Sequence, residues 1–309
     1  MAKARKAPAG RGARKPAGAA KARAKSRPKA ATAAPRPVFR PVPLYEFTAG
    51  GIAGQARLSD PGRGLAFVGG AEGKVLPAAS QETLSLRHYL ARGESGLLAP
   101  REESGCEGKV DGHALLFRYE GSKAWPVAAT ARYELLPQGG VDAALTFSFA
   151  KAIKGFEAGV ETVMPRSQPT VYVHSAGAWI RAAAGPQAQL FYPRNQGAAE
   201  MIADGRWDRL RLAGVTLAVQ RHGYDYPMLV VRDEKRGWAL AYMGLTEDCT
   251  CVWVSGAERA VGLGLIGGDV KAQSSVTCRL RVVLCPAERL DDTLAHYRAF
   301  VQEARAARG

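Results

Sequence analysis

The strongest constraint on this chain is an alternation with a period of two residues. The run VDAALTFSFA puts Val141, Ala143, Leu145, Phe147 and Phe149 on one face of an extended strand. SSVTCRLRVVLC puts Val276, Cys278, Leu280, Val282 and Leu284 on one face, with Thr277, Arg279 and Arg281 opposite. GVTLAVQ alternates Val215, Leu217 and Val219; WALAYM alternates Trp238, Leu240 and Tyr242. VYVHS, PMLVV and CVWVS are further short runs rich in β-branched or aromatic residues. Turn signals stand between them: PQGG at 137–140, AAGPQA at 183–188, RDEKRG at 232–237 and IGGD at 266–269. Many strands with short connections predict an all-β fold, a large antiparallel β-sandwich. No sequence repeat with a period of roughly 20–50 residues recurs, which argues against a propeller or solenoid.

One helix is expected. In AERLDDTLAHYRAFVQEARAARG, Leu290, Leu294, Tyr297 and Val301 fall at helical spacing. Asp291 and Asp292 come early and Arg305 and Arg308 late, as the helix dipole favours. The pattern predicts a C-terminal helix over 287–307 that caps one end of the sandwich or covers an edge strand. SQETLSLRHYLAR fits either a second short helix or an edge strand. The β-sandwich domain is expected over 42–309, helix included. Residues 1–41 differ: they hold 13 Lys or Arg, no acid, and no large apolar residue between Met1 and Val38. Such a segment buries too little surface to offset its ordering entropy and is expected to be disordered.

The net charge is +15 over 309 residues, but it is unevenly placed. Removing the tail's 13 from the 43 basic residues leaves 30 against 28 acids, so the body carries only +2. Phosphate contact by counterion release therefore falls to the tail, with Lys3, Arg5, Lys6, Arg14, Lys15, Lys21, Arg23 and Lys25 as candidate nucleic-acid contacts. A purely solubilising tail is the alternative. No stretch reaches the roughly 18 apolar residues of a membrane span, and no secretory signal opens the chain. Five cysteines, an odd count, fit free thiols in a reducing, cytoplasmic compartment. Cys249 and Cys251 would share one side of a strand, and no second pair or nearby His completes a metal set. Neither metal nor cofactor is expected. G-x-S-x-G, H-E-x-x-H and P-loop motifs are absent, and the Gly-rich GLGLIGGD reads as a turn with a bulge.

The stretch YEGSKAWPVAATARYELLPQGGVDAALTFSFAKAIKGFEAGVETVMP carries a Trp-Pro-Val step, Tyr-x-Leu and Phe-Glu. With GWALAYMGLTEDC and GLIGGDVKAQSSVTCRLRVVL, it resembles bacterial proteins, common in planctomycetes, of the galactose mutarotase-like β-supersandwich superfamily. The resemblance spans 44–286. It implies a sandwich with one concave sheet face that binds carbohydrate. Enzymes of that superfamily open an aldose ring with a His acid and a Glu base. Their His motif and late Glu have no recognisable counterpart in this sequence, and TVMP stands where other members carry aromatic residues.

Candidate ligand contacts follow. In GFEAGVETVMP, Phe156, Ala158, Val160, Thr162 and Met164 share one strand face, and Glu157, Gly159 and Glu161 the other. Four residues along a strand separate the carboxylates by roughly 13 Å. That exceeds the spacing of glycosidase acid pairs, about 5 to 9.5 Å, so they are not a dyad. Two contacts along one groove, or a solvated strand face, remain as readings. His174 and Trp179 could supply a polar tip and an aromatic platform. RHGYDYP gathers Arg221, His222, Tyr224, Asp225 and Tyr226, a mixture suited to sugar faces and hydroxyls, and FYPRNQ adds Arg194. The preferred reading is a carbohydrate-binding β-sandwich with its ligand on the concave face. A sugar epimerase or polysaccharide-modifying enzyme on the same face, and a nucleic-acid-associated protein acting through its tail, are the alternatives.

Overall fold

The computed structural model describes residues 45–50, 52–56, 64–69, 80–92, 94–97, 106–121, 123, 125–164, 170–182, 187–193, 217–220, 222–235, 237–256, 259–286 and 289–308. These form nineteen strands in two sheets and one helix. The ten-stranded sheet runs β1 (Tyr45–Ala49), β2 (Ile52–Ala56), β3 (Leu65–Gly69), β4 (Ser80–Ala91), β10 (Ile153–Val163), β18 (Ala260–Val270), β17 (Cys249–Ser255), β13 (Ala188–Phe191) and β14 (Leu217–Val219). β5 (Glu94–Leu97) pairs with β4 off this path. The nine-stranded sheet runs β12 (Ala178–Arg181), β11 (Thr170–Ser175), β15 (Tyr224–Asp233), β16 (Trp238–Gly244), β19 (Ser274–Pro286), β9 (Gly140–Phe149), β8 (Val127–Leu136), β7 (Ala114–Tyr119) and β6 (Cys106–Asp111). Pairing is antiparallel except between β13 and β14. The antiparallel sandwich with a C-terminal helix is the fold class expected from the sequence.

The core lies between the sheets. The alternating residues of β9, Val141 to Phe149, are all buried, as are Cys278, Leu280 and Val282 of β19. Phe147 meets Phe156 of the opposite sheet at 6.2 Å between ring centroids, and Tyr89 meets Phe147 at 6.3 Å. Phe156, Ala158, Val160, Thr162 and Met164 face this core as predicted, and all are buried.

Four local expectations are revised. SQETLSLRHYLAR is neither helix nor edge: it is β4, paired with β3 on one side and β10 on the other. GLGLIGGD is no turn: β18 runs through it, with positive φ at Ile266 and Gly267 marking a bulge against β10. Cys249 and Cys251 do not face the same side. Thr250 is an extra residue between them, so Cys249 registers with core-facing Leu265 and Cys251 with Gly264 on the opposite face. The helix α1 (Asp292–Ala306) covers a sheet face, neither an end nor an edge. Tyr297, Phe300 and Ala304 pack with Met228, Val230, Ala241, Met243 and Val283 on the outer side of the nine-stranded sheet.

Candidate functional site

The face of the ten-stranded sheet turned away from the core carries an unusual set of side chains. β10 presents Glu157, Gly159 and Glu161 there. Cross-strand register places His88 of β4 beside Gly159, and Gly264 and Gly262 of β18 beside Gly159 and Glu161. Cys251 and Trp253 of β17 follow, beside Gly264 and Gly262. Antiparallel partners share a face, so this is one continuous row.

The glycines make room for the large groups. A Cβ on Gly159 would fall within the His88 ring, one on Gly262 within the Trp253 indole, and one on Gly264 against the Glu157 carboxylate and the Cys251 sulfur. Each bulky side chain thus lies flat over a glycine of the neighbouring strand. His88 and Trp253 approach at 5.6 Å between centroids, tilted by 42°. His88 faces Gly159, two residues along β10 from Glu157, and such diagonal neighbours lie about 7–8 Å apart, which brings the His88 ring and the Glu157 carboxylate within about 10 Å of each other.

The row is buried, contrary to the reading of a solvated strand face: Glu157 is 0% exposed, His88 1% and Glu161 4%. The Cys251 thiol donates to Glu157 Oε1 at 3.3 Å. Burial, then the charge of Glu157 and its hydrogen bond, push that thiol well above its usual pKa. Burial, helped by the neighbouring Arg87 charge, holds the His88 imidazole down at about 3, so it is neutral across the physiological range. Arg87 Nε lies 3.7 Å from Glu161 Oε1 and its NH1 3.8 Å from Glu82, while half of its own side chain reaches solvent. From Glu157 to Val163, β10 pairs with β18 without a register shift, so the two glutamates keep their strand separation of roughly 13 Å.

The other candidates lie elsewhere. His174 Nδ1 and Asp225 Oδ2 are 2.9 Å apart, and the Gly177 N–H donates to the same carboxylate oxygen at 2.7 Å. Trp179 stands edge-on to His174 at 5.1 Å, and its indole N–H donates to Asp291 at the head of α1. Tyr226 is also 5.1 Å from His174 and continues to Tyr297 of the helix. His174, Trp179 and Asp225 therefore do come together, but on the outer side of the nine-stranded sheet, across the core from Glu157. Tyr224 is a core residue whose hydroxyl donates to the Cys249 carbonyl at 2.8 Å. His222 is exposed. Arg194, Arg221 and the tail residues lie outside the described residues. Among the described residues no group of three or more His, Cys, Asp or Glu is arranged to hold a metal ion. No helix among them is long and apolar enough to cross a membrane.

Sequence reasoning missed His88, Cys251 and Trp253. A signal existed in the glycines: G-x-G at 262–264 and the lone Gly159 within an acidic pair are places where a strand forgoes side chains.

No protein-family model matches the chain, and no curated protein matches it by sequence. Solved structures do. The α-N-acetylgalactosaminidase NagBb of Bifidobacterium bifidum, in complex with Gal-NHAc-DNJ, aligns with 84% of this chain at a TM-score of 0.50 and 14% identity. A quadruple mutant of the same enzyme aligns over 84% at 0.52 and 12% identity. The chain spans about two-fifths of that enzyme, 39% of its length. A provisionally assigned aldose 1-epimerase of Escherichia coli K12 aligns over 79% of this chain and 99% of its own, at 0.46 and 13% identity. At these identities the likeness is one of fold alone, a large antiparallel β-sandwich.

Proposed function

We propose that the protein binds a carbohydrate on the outer face of the ten-stranded sheet, above Gly159 and Gly264. The observation that carries this reading is the buried row of His88, Glu157, Cys251 and Trp253 over a glycine floor. Such a row contributes nothing to the core between the sheets, and burying a carboxylate there is expensive unless the site has a use for it. A carboxylate, a neutral imidazole and an indole are the groups that take up sugar hydroxyls and a C–H face. Glu161, held by Arg87, would contact the same ligand farther along the groove. His174, Trp179 and Asp225 would form a separate contact patch that this reading does not require.

Catalysis on the same face is the second reading. A Glu carboxylate and a neutral His imidazole within about 10 Å can span one sugar ring, a spacing that suits proton shuffling on an aldose better than the Glu157–Glu161 separation suits a glycosidase. The test is a glycan-array screen of the full chain, followed by calorimetry on the sugars retained and polarimetry of aldose anomer exchange. Glu157→Gln and His88→Gln are each expected to weaken sugar binding by about tenfold or more, as loss of a charged or buried hydrogen bond does. Anomer exchange that is accelerated by wild type and lost in both variants selects the enzyme reading. No retained sugar, or retention untouched by both substitutions, rejects the site.

A further inference from the structure

A second feature lies on the opposite side of the molecule, between α1 and the outer face of the nine-stranded sheet. A surface cavity of about 370 Å³ opens there, walled on the helix side by Phe300, Glu303 and Ala307. Its floor follows from strand register. Arg132 of β8, Ala144 of β9 and Arg279 of β19 are direct partners in one row across three strands. Strands lie about 4.8 Å apart, so the two arginine stems rise roughly 10 Å from each other with only the Ala144 methyl between them. The next row on one side is Glu134, Asp142 and Arg281; on the other it is Thr130, Thr146 and Thr277.

The three arginines of the cavity are not equivalent. Arg281 is saturated: its Nε and NH2 donate to the two oxygens of Asp142, and NH2 also donates to Glu303 at 2.7 Å. Arg132 holds Asp111 at 2.8 Å, but this pair is on the surface, with side chains 42% and 59% exposed. Exposed pairs of that kind are weak and exchange readily for another anion. Arg279 is half-buried, and its backbone N–H donates to Asp248 Oδ2 at 2.8 Å. Its guanidinium makes no ion pair or hydrogen bond with any described residue. The cavity thus contains one uncommitted cation, one weakly committed cation facing it, and a small residue between them.

We propose that this groove binds an oxyanion, a carboxylate or phosphate group, clamped between Arg279 and Arg132 over Ala144. Planar guanidinium forks match the paired oxygens of such groups, and two forks on either side of one anion supply both charge and orientation. The hydroxyls of Thr146 and Thr277, 2.9 Å apart in the adjoining row, extend the polar floor. Of the acids that line the cavity, Asp142 and Glu303 are held by Arg281, and Glu134, one row from Arg132 on β8, is exposed to solvent.

Calorimetric titration of the full chain with inorganic phosphate, and separately with acetate, at an ionic strength fixed with chloride, tests this. The basic tail is present in every variant, so its background cancels in the comparison. Arg279→Gln and Arg132→Gln are expected to lower the association constant by about tenfold each, and Arg279→Lys by less, because an ammonium keeps the charge without the fork. Arg118→Gln removes an exposed arginine of the same sheet face outside the cavity and should stay within about twofold of wild type. Ala144→Leu keeps every charge and fills the row between the arginines, and it too should abolish the response. Preference for phosphate over acetate, or the reverse, identifies the anion class. Wild-type phosphate and acetate binding in Arg279→Gln overturns the proposal. If that variant does not fold, unchanged binding in Ala144→Leu overturns it instead, and lost binding in folded Ala144→Leu upholds it.

Discussion

The glycine under His88 gives a sharp test of how the face of the ten-stranded sheet is built. Gly159 has an ordinary extended backbone, so Ala would be tolerated if packing allowed it. Packing does not: its methyl would occupy the space of the imidazole. The ring cannot swing clear cheaply, because it is 1% exposed and rests against Trp253. Forcing one carbon into a filled site costs about 1–3 kcal/mol. For a domain of this size that is a loss of roughly 3–10 °C in Tm. Urea unfolding of Gly159→Ala, His88→Ala and the double variant should show strong coupling. Removing the ring opens the space the methyl needs, so the double variant should be more stable than the sum of singles predicts by about 1–2 kcal/mol. Wild-type stability in Gly159→Ala, or strict additivity in the cycle, would refute the overlap of His88 with Gly159.

Three further outcomes are expected. His88 titrates at about 3 in the folded protein against 6.5 ordinarily, so its contribution is fully present above pH 6.5 and is lost as pH falls toward 3. Wild type should lose about 2 kcal/mol between pH 6.5 and 5 that His88→Gln does not lose; parallel pH profiles would contradict this. Arg281→Ala breaks the link from Asp142 to Glu303 and its stacking on Phe300, 5.2 Å away. A loss of about 1–3 kcal/mol is expected, below the cost for a fully buried pair because both carboxylates keep water, with faster amide exchange over the second half of α1. Deleting residues 2–41 should remove DNA affinity that falls steeply with salt; retention of that affinity in the truncated chain would separate nucleic-acid binding from the tail.

The parts of the fold that were legible in the sequence are those with one wet and one dry face. β8, β9 and β19 alternate because a core lies on one side only. β4 was ambiguous because both its faces are covered, so SQETLSLRHYLA shows neither a clean strand nor a clean helix period. The Thr250 bulge was invisible because nothing local marks it, yet it sends Cys251 to the outer face and Cys249 to the core. Chemistry was easier to read than proximity. His174 with Trp179, and Asp225 within RHGYDYP, read as two separate candidates, and the pairing of β11 with β15 joins them across 51 residues. His88 was not named, since its meaning comes from Gly159, a partner 71 positions away on another strand.

The place of β19 has a consequence for biosynthesis. This last strand is inserted between β9 and β16 in the middle of the nine-stranded sheet. A nascent chain that has emerged only as far as residue 273 therefore carries that sheet as two fragments, each ending in an unpaired strand. The sheet closes only once β19 has emerged to pair with both, and α1 then covers the seam. Such non-local closure slows folding and leaves the open edges of β9 and β16, until β19 arrives, as the surfaces a chaperone would need to shield.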